Sequence, residues 1–240
     1  MTKSEDKIFI GKDISKLEEI IKIKYKNKNL LRQAMVHRSY LNEHPSFRTS
    51  HNERLEFLGD AVLEIVVTEY LFYNFPDRDE GQLTNWRASL VNSKMLATVA
   101  NEIGLEEFLY LSKGESKDKK SKARQYILAN TVEALIGSLY LDQGMRPAKK
   151  IIKKYILSKL DYILKHELYL DPKSKFQEKA QEKTGITPHY KVLNESGPDH
   201  IKVFEVGLFL GKEQISQGRG SSKQEAQVDA AIEGLKKNKW

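Results

Sequence analysis

The chain has 240 residues, of which 40% are hydrophobic and 30% charged, which suits one large or two modest packed domains and lies outside the disordered class. The 40 basic residues outnumber the 33 acidic ones and leave a formal charge of +7, a balance fitted to a polyanionic partner such as nucleic acid or an anionic membrane surface. There is no cysteine, which excludes disulfide scaffolds, thiolate metal sites and a cysteine nucleophile. The segment Met1 to Lys7 is charged and lacks an apolar core, so no secretory signal is expected. No stretch reaches the ~18 apolar residues of a membrane span, and a cytoplasmic location without a membrane partner is expected.

In chain order, Asp13 can cap a helix carrying Ile14, Leu17, Ile20 and Ile21 at helical spacing. A second helix is expected through Leu30, Leu31, Ala34 and Met35, then a loop at Asn42, Pro45 and Ser46. Residues 51–75 form a long apolar-rich stretch with one glycine, closed by Pro76. Helical patterns resume over residues 81–103, 123–141 and 147–164, the last with Pro147 in a first turn, where proline is tolerated. The lysine-rich segment 113–124 reads either as a solvated loop or as a phosphate-facing arm. Residues 165–172 end in Asp171-Pro172 and mark a domain boundary, giving expected domains of 1–168 and 169–240. The pattern then changes. A helix over 173–184 is closed by Gly185, and a strand covers 190–193. A turn cluster spans 195–199, followed by a period-two strand over 201–206 and a third strand over 212–217. Gly218-Arg219-Gly220 reads as a turn, and Ala226, Ala230, Ile232 and Leu235 place a closing helix on the sheet. The expected fold class is an all-α N-terminal domain followed by a small α+β domain of order α-β-β-β-α.

The residues with chemistry begin at Asn52-Glu53-Arg54-Leu55-Glu56-Phe57-Leu58-Gly59-Asp60-Ala61. At ~100° per helical residue, Glu53, Glu56, Asp60 and Glu64 share an arc of about 80°. Their neighbours are apolar on most of the circumference, so a buried helix with an acidic stripe is expected. The plain alternative is an exposed polar face. Like charges at i,i+4 repel, and partial burial raises the cost, whereas a divalent cation such as magnesium, which favours carboxylate oxygens, removes it. Gly59 points to close approach of another helix, since glycine weakens a helix interior. A second stripe, Asn130 and Glu133 at i,i+3 among apolar residues, is by itself no more than a buried polar pair. Together the two stripes are better explained as one metal site between packed helices.

These residues carry a family resemblance. The run 52–61 resembles the ribonuclease III signature without a mismatch, and Ala34-Met35-Val36-His37-Arg38-Ser39-Tyr40 is similar to the family's upstream helix. Glu80-Gly81-Gln82-Leu83 resembles its following acidic turn, residues 127–142 its second catalytic helix, and the tail a double-stranded RNA-binding domain. The resemblance implies a homodimeric, Mg²⁺-dependent endonuclease for double-stranded RNA, with Mn²⁺ able to substitute and no organic cofactor. It implies products with 5′-phosphate and 3′-hydroxyl ends and a role in rRNA and mRNA precursor processing. It puts Glu56, Asn130 and Glu133 at metal-ligand positions, Asp60 and Glu133 at catalytic positions, Glu53 and Glu80 at accessory acidic positions, and Phe57 at the dimer interface, where the alternative is ordinary core. One departure stands out: the family's usual residue at 130 is aspartate, and asparagine brings an oxygen but no charge. A non-cleaving RNA-binding protein is therefore the competing reading.

In the tail, the resemblance assigns Ser174, Gln177, Glu178 and Gln181 to a first minor-groove contact, against the alternative of an ordinary exposed helix face. The loop with His200 is assigned to a second minor-groove contact, and Lys223 at the last helix to phosphate. Duplex RNA is read largely by shape through such contacts, and a helix N-terminus favours phosphate. Lysine is sparse there: Ser221, Ser222 and Gln224 surround Lys223, and residues 171–240 hold 12 basic against 10 acidic residues. Arg219 or the 113–124 segment could compensate.

Overall fold

The computed structural model describes residues 12–119, 121–198 and 202–240. The helices are α1 (Ser15–Ile21), α2 (Lys28–Ala34), α3 (Arg38–Glu43), α4 (Glu53–Asn74), α5 (Glu80–Val91), α6 (Ser93–Ile103), α7 (Lys113–Lys117), α8 (Lys122–Gln143), α9 (Met145–Tyr155), α10 (Leu160–Lys165), α11 (Pro172–Thr184) and α12 (Lys223–Asn238). The strands are β1 (Pro188–Ser196), β2 (Val203–Leu210) and β3 (Glu213–Gly220). The chain divides into two compact units, Met1–His166 and Glu167–Trp240. The first is helical and the second is α-β-β-β-α, the fold class expected from the sequence.

In the first unit α4 and α8 pack along each other, flanked by α2, α5, α6 and α9. Leu63, Val67, Val132, Leu135 and Leu139 are fully buried; burying each such side chain stabilises by roughly 1.5–3 kcal/mol before chain entropy is counted. The closeness comes from two glycines. A Cβ on Gly59 would overlap the carbonyl oxygen of Glu133, and one on Gly137 would overlap that of Leu55. Backbone therefore meets backbone where the two acid-bearing helices cross.

Several local expectations change. Asp13 accepts the N–H of Ser15 at 3.1 Å, but the helix starts one residue later, capped at Ile14. The run 81–103 is two helices, because Asn92 turns extended (ψ 157) and accepts the N–H of Met95 at 2.9 Å. Within 113–124, α7 is a short helix and Ser121 caps α8 through the N–H of Arg124 at 3.1 Å. Arg124 is only 4% exposed and bonds Glu106 at 2.6 Å, so it is not available to a phosphate. The helix α4 is not buried all round: Phe57 (81% exposed), Ile65 (55%), Phe72 and Tyr73 face outward. An apolar sequence cannot say which of its faces is left uncovered.

In the second unit the sheet order is β1-β2-β3, antiparallel throughout. Phe176 and Ala180 of α11 and Ala230 and Ala231 of α12 close its core with Leu208, Leu210 and Ile215. The strands are longer than their apolar patterns. Glu195 and Ser196 belong to β1, not to a turn, while Asp199, His200 and Ile201 lie outside the described residues. Gly218-Arg219-Gly220 is the end of β3, also not a turn. Its glycines serve close packing: a Cβ on Gly220 would sit 2.6 Å from the amide nitrogen of Ala226, and one on Gly218 would overlap that of Ala230. Ser222 caps α12 by accepting the N–H of Glu225 at 3.2 Å.

Candidate functional site

The site is built on the crossing of α4 and α8. Glu56, one turn into α4, and Asp60, one turn further, face Glu133 of α8. The crossing glycine Gly59 precedes Asp60, and its partner's backbone is that of Glu133 itself. Main-chain contact thus sets the spacing of the acids. Among the described residues no cation pairs with Glu56, Asp60 or Glu133. Burial first, then the charges of Asp60, Glu56 and Glu64, push the carboxyl of Glu133 up to about 8. Burial and the charge of Glu53 raise Glu56 as well, while a side-chain hydrogen bond from Asn130 counters the rise. With its amide nitrogen donating to Glu56, Asn130 keeps its carbonyl oxygen for another partner.

The four carboxylates of the expected stripe do not behave alike. Glu53 is exposed and pairs with Arg38 at 3.5 Å and His51 at 3.7 Å. Glu64 pairs with Arg87 at 3.0 Å, and Arg87 also donates to the hydroxyl of Thr68 at 3.0 Å. Glu80 stands apart, exposed at the start of α5, in the wall of a hollow of about 610 Å³ shared with Phe72, Arg78 and Arg87. Arg87 is the residue that sequence reading misses: it reaches from that hollow to the stripe, and nothing local in 80–91 signals a contact with α4. Phe57 forms part of the wall of a groove of about 600 Å³, with Leu30, His51, Arg54, Leu58 and Leu141.

Among the described residues no three or more His, Cys, Asp or Glu side chains form a group that could hold a metal ion. Glu56, Asp60 and Glu133 face one another across the crossing without being gathered into such a group. Their chemistry is nonetheless all oxygen, with surplus negative charge on a half-buried surface, which fits a hard divalent cation.

In the second unit Ser174, Gln177, Glu178 and Gln181 lie exposed along one face of α11, opposite the buried Phe176 and Ala180. The N–H of Ser174 is bound by Asp171 at 3.0 Å. Lys223 opens α12, its ammonium 3.1 Å from Glu195. Arg219 donates to Glu205 at 3.1 Å, so it is already engaged. His200 lies outside the described residues.

Comparison with known proteins agrees across the chain. The family "Ribonuclease-III-like" matches residues 27–160, and "Double-stranded RNA binding motif" matches residues 172–238. Ribonuclease 3 of Campylobacter fetus is 41% identical over 218 residues, covering 91% of this chain and 95% of that protein. Ribonuclease 3 of Enterococcus faecalis is 41% identical over 223 residues, covering 92% and 96%. The solved nuclease domain of ribonuclease III from Campylobacter jejuni, described as flexible in a region involved in dimer formation, is 40% identical with a TM-score of 0.53. It covers 61% of this chain and 97% of its own. Among the described residues no helix is long and apolar enough to cross a membrane. With the acid-bearing helix crossing and the α-β-β-β-α unit both matched in order, the chain belongs to the ribonuclease III family of endoribonucleases acting on double-stranded RNA.

Proposed function

We propose that the chain hydrolyses phosphodiesters of duplex RNA at the α4–α8 crossing, leaving 5′-phosphate and 3′-hydroxyl ends, as a cytoplasmic homodimer maturing rRNA and mRNA precursors. Glu56, Glu133 and the carbonyl of Asn130 would hold Mg²⁺, or Mn²⁺ in its place. When bound, such an ion lowers the pKa of a water and neutralises charge on the scissile phosphate and leaving oxygen. The observation that carries this reading is the crossing itself, where the backbone of Gly59 lies against that of Glu133 and sets Glu56 and Asp60 facing Glu133; burial and those charges push the Glu133 carboxyl up to about 8. Asp60, exposed next to it, would take up or return a proton at the reacting oxygens. Glu53, tied to Arg38 and His51, and Glu80, at the rim of its hollow, would act on the RNA side. Ser174, Gln177, Glu178, Gln181, His200 and Lys223 would hold the duplex.

A long RNA duplex incubated over a magnesium series, with chelator and single-stranded controls, tests the proposal. Magnesium-dependent shortening of the duplex alone is expected. Retention without cutting at every magnesium level would favour the binding-only reading, which Asn130 supports. Asn130→Asp adds one negative charge beside Glu56 and should lower the magnesium needed for half-maximal cutting by about tenfold, within the range of changes around metal ligands. If it converts an inert protein into an active one, the binding-only reading holds for the natural chain.

For the dimer, the support is Phe57, 81% exposed in the wall of an open, largely apolar groove. A second copy would bring the same side chain and groove together symmetrically. Phe57→Asp should weaken self-association by roughly 30-fold or more, as for a buried aromatic anchor. Sedimentation velocity at falling concentration checks this, and an unchanged distribution would remove Phe57 from the interface.

A further inference from the structure

We infer that Glu195 is an internal competitor for the duplex's phosphates: it occupies Lys223 and Lys202, and so sets the affinity of the second unit for RNA. The inference rests on the RNA-binding reading above. Three observations meet at one place. The two oxygens of Glu195 are divided between two ammonium groups, Lys223 at 3.1 Å and Lys202 at 3.2 Å. Both ammonium groups also lie over the same ring, that of Phe204, at 5.6 and 5.7 Å from its centroid. A register shift in the sheet puts Glu195 there. Val192 pairs with Val206 but Asn194 pairs with Glu205, so Leu193 is an extra residue and Glu195, not Asn194, stands opposite Phe204. Residues directly opposite in an antiparallel pair share a face, which seats the carboxylate against the start of α12.

This arrangement has an electrostatic consequence. Lys223 is the only basic residue of the segment 221–229, and it stands at a helix N-terminus, where a phosphate is favoured. A phosphate approaching it meets an ammonium already engaged by a carboxylate and must displace that carboxylate or accept its repulsion. The nearby Arg219 is held in the same way by Glu205. The hydrogen bond from Lys223, then that from Lys202, holds the Glu195 carboxyl below the usual range, which agrees with an occupied pair. Because the pair is exposed, its effect is modest and sensitive to salt.

The experiment uses the full chain with a labelled blunt RNA duplex of about 24 base pairs and, in parallel, one of its strands alone, in chelator so that no cutting occurs, with binding measured over a salt series. Glu195→Gln keeps the side chain's shape and should bind the duplex about three- to tenfold tighter, as expected for releasing two exposed ion pairs. The dependence of log affinity on log salt should steepen by up to about one, the signature of an added phosphate contact. In a Lys223→Gln background the gain from Glu195→Gln should shrink to about the share due to Lys202. Glu213→Gln, at the far end of β3, should leave binding within about 1.5-fold, and the thermal midpoint of each variant reports folding. Equal or weaker binding by a folded Glu195→Gln variant overturns the inference and makes Glu195 a support for the lysines, with the RNA-binding reading intact. Failure of wild type and variant alike to prefer duplex over single strand overturns both readings.

Discussion

Glu133→Gln is expected to cut duplex cleavage by more than about 100-fold, beyond the range for losing a supporting partner of a metal ligand, while duplex binding in chelator stays unchanged. The same substitution has a second, opposite effect on the metal-free fold. The carboxyl of Glu133 moves from an ordinary 4.5 up to about 8 on folding, chiefly through burial and then through Asp60, Glu56 and Glu64. A folded group whose pKa is raised binds its proton more tightly than the unfolded chain does. Its contribution to stability is complete below pH 4.5 and is lost as pH rises through about 8. With solvent screening taken into account, the loss at this site is on the order of 2 kcal/mol. Glutamine does not ionise, so the variant should match wild type near pH 4.5 and exceed it near pH 8.5. Thermal melts in chelator across pH measure the difference. A variant that is less stable than wild type at high pH would show that Glu133 is not strained in the free protein, and would take away the electrostatic support for a cation site.

Gly59→Ala is expected to be the most damaging small change in the first unit. Alanine normally favours a helix interior over glycine by about 1 kcal/mol. Here its methyl would overlap the carbonyl of Glu133 and come within 2.9 Å of the amide nitrogen of Gly137. Backbone cannot rotate out of the way as a side chain can, so α4 and α8 must separate. Overpacking of this kind costs about 3 kcal/mol, a drop of roughly 6–12 °C in melting temperature for a chain of this size. Cleavage should fall further than stability alone explains, because the acids ride on the two displaced helices. Gly114→Ala, whose Cβ would meet only the Ser112 hydroxyl at 3.9 Å, should melt like wild type. Equal melting of the two variants would show that the crossing has room to yield.

Much of this is written in local sequence. The carboxylate spacing 53-56-60-64 on an apolar run marks α4, and a glycine inside that run marks where another helix lies against it. The three strands and two helices of the second unit follow from period-two and helical patterns. Other features are decided at long range. Asn92 sits in a periodic run, and only its extended backbone and the cap on Met95 divide α5 from α6. Gly218 and Gly220 look like turn residues because glycine is common there, yet they are strand residues kept small by α12. Hydropathy gives Phe57 and Ile65 the same weight as Leu63 and cannot tell the outer face of α4 from the inner one. The pairing of Arg87 with Glu64 joins residues on different helices, and its separation in sequence leaves no pattern to find.

The extra residue at Leu193 has a consequence for how the second unit's charge is to be understood. Composition fixes its net charge at +2 over residues 171–240, but a partner feels the local arrangement, and strand register decides that arrangement. Deleting Leu193 would leave Asn194 and Glu195 on their present partners, whereas regular pairing with Leu193 kept in the ladder, opposite Glu205, would bring the neutral Asn194 opposite Phe204 in place of Glu195. The chain would then keep every charge it has now and present a more positive surface at the start of α12. A one-residue change of pairing register in this strand therefore acts as a charge mutation, and two modules of equal net charge can differ in their grip on a polyanion through the phase of a single strand.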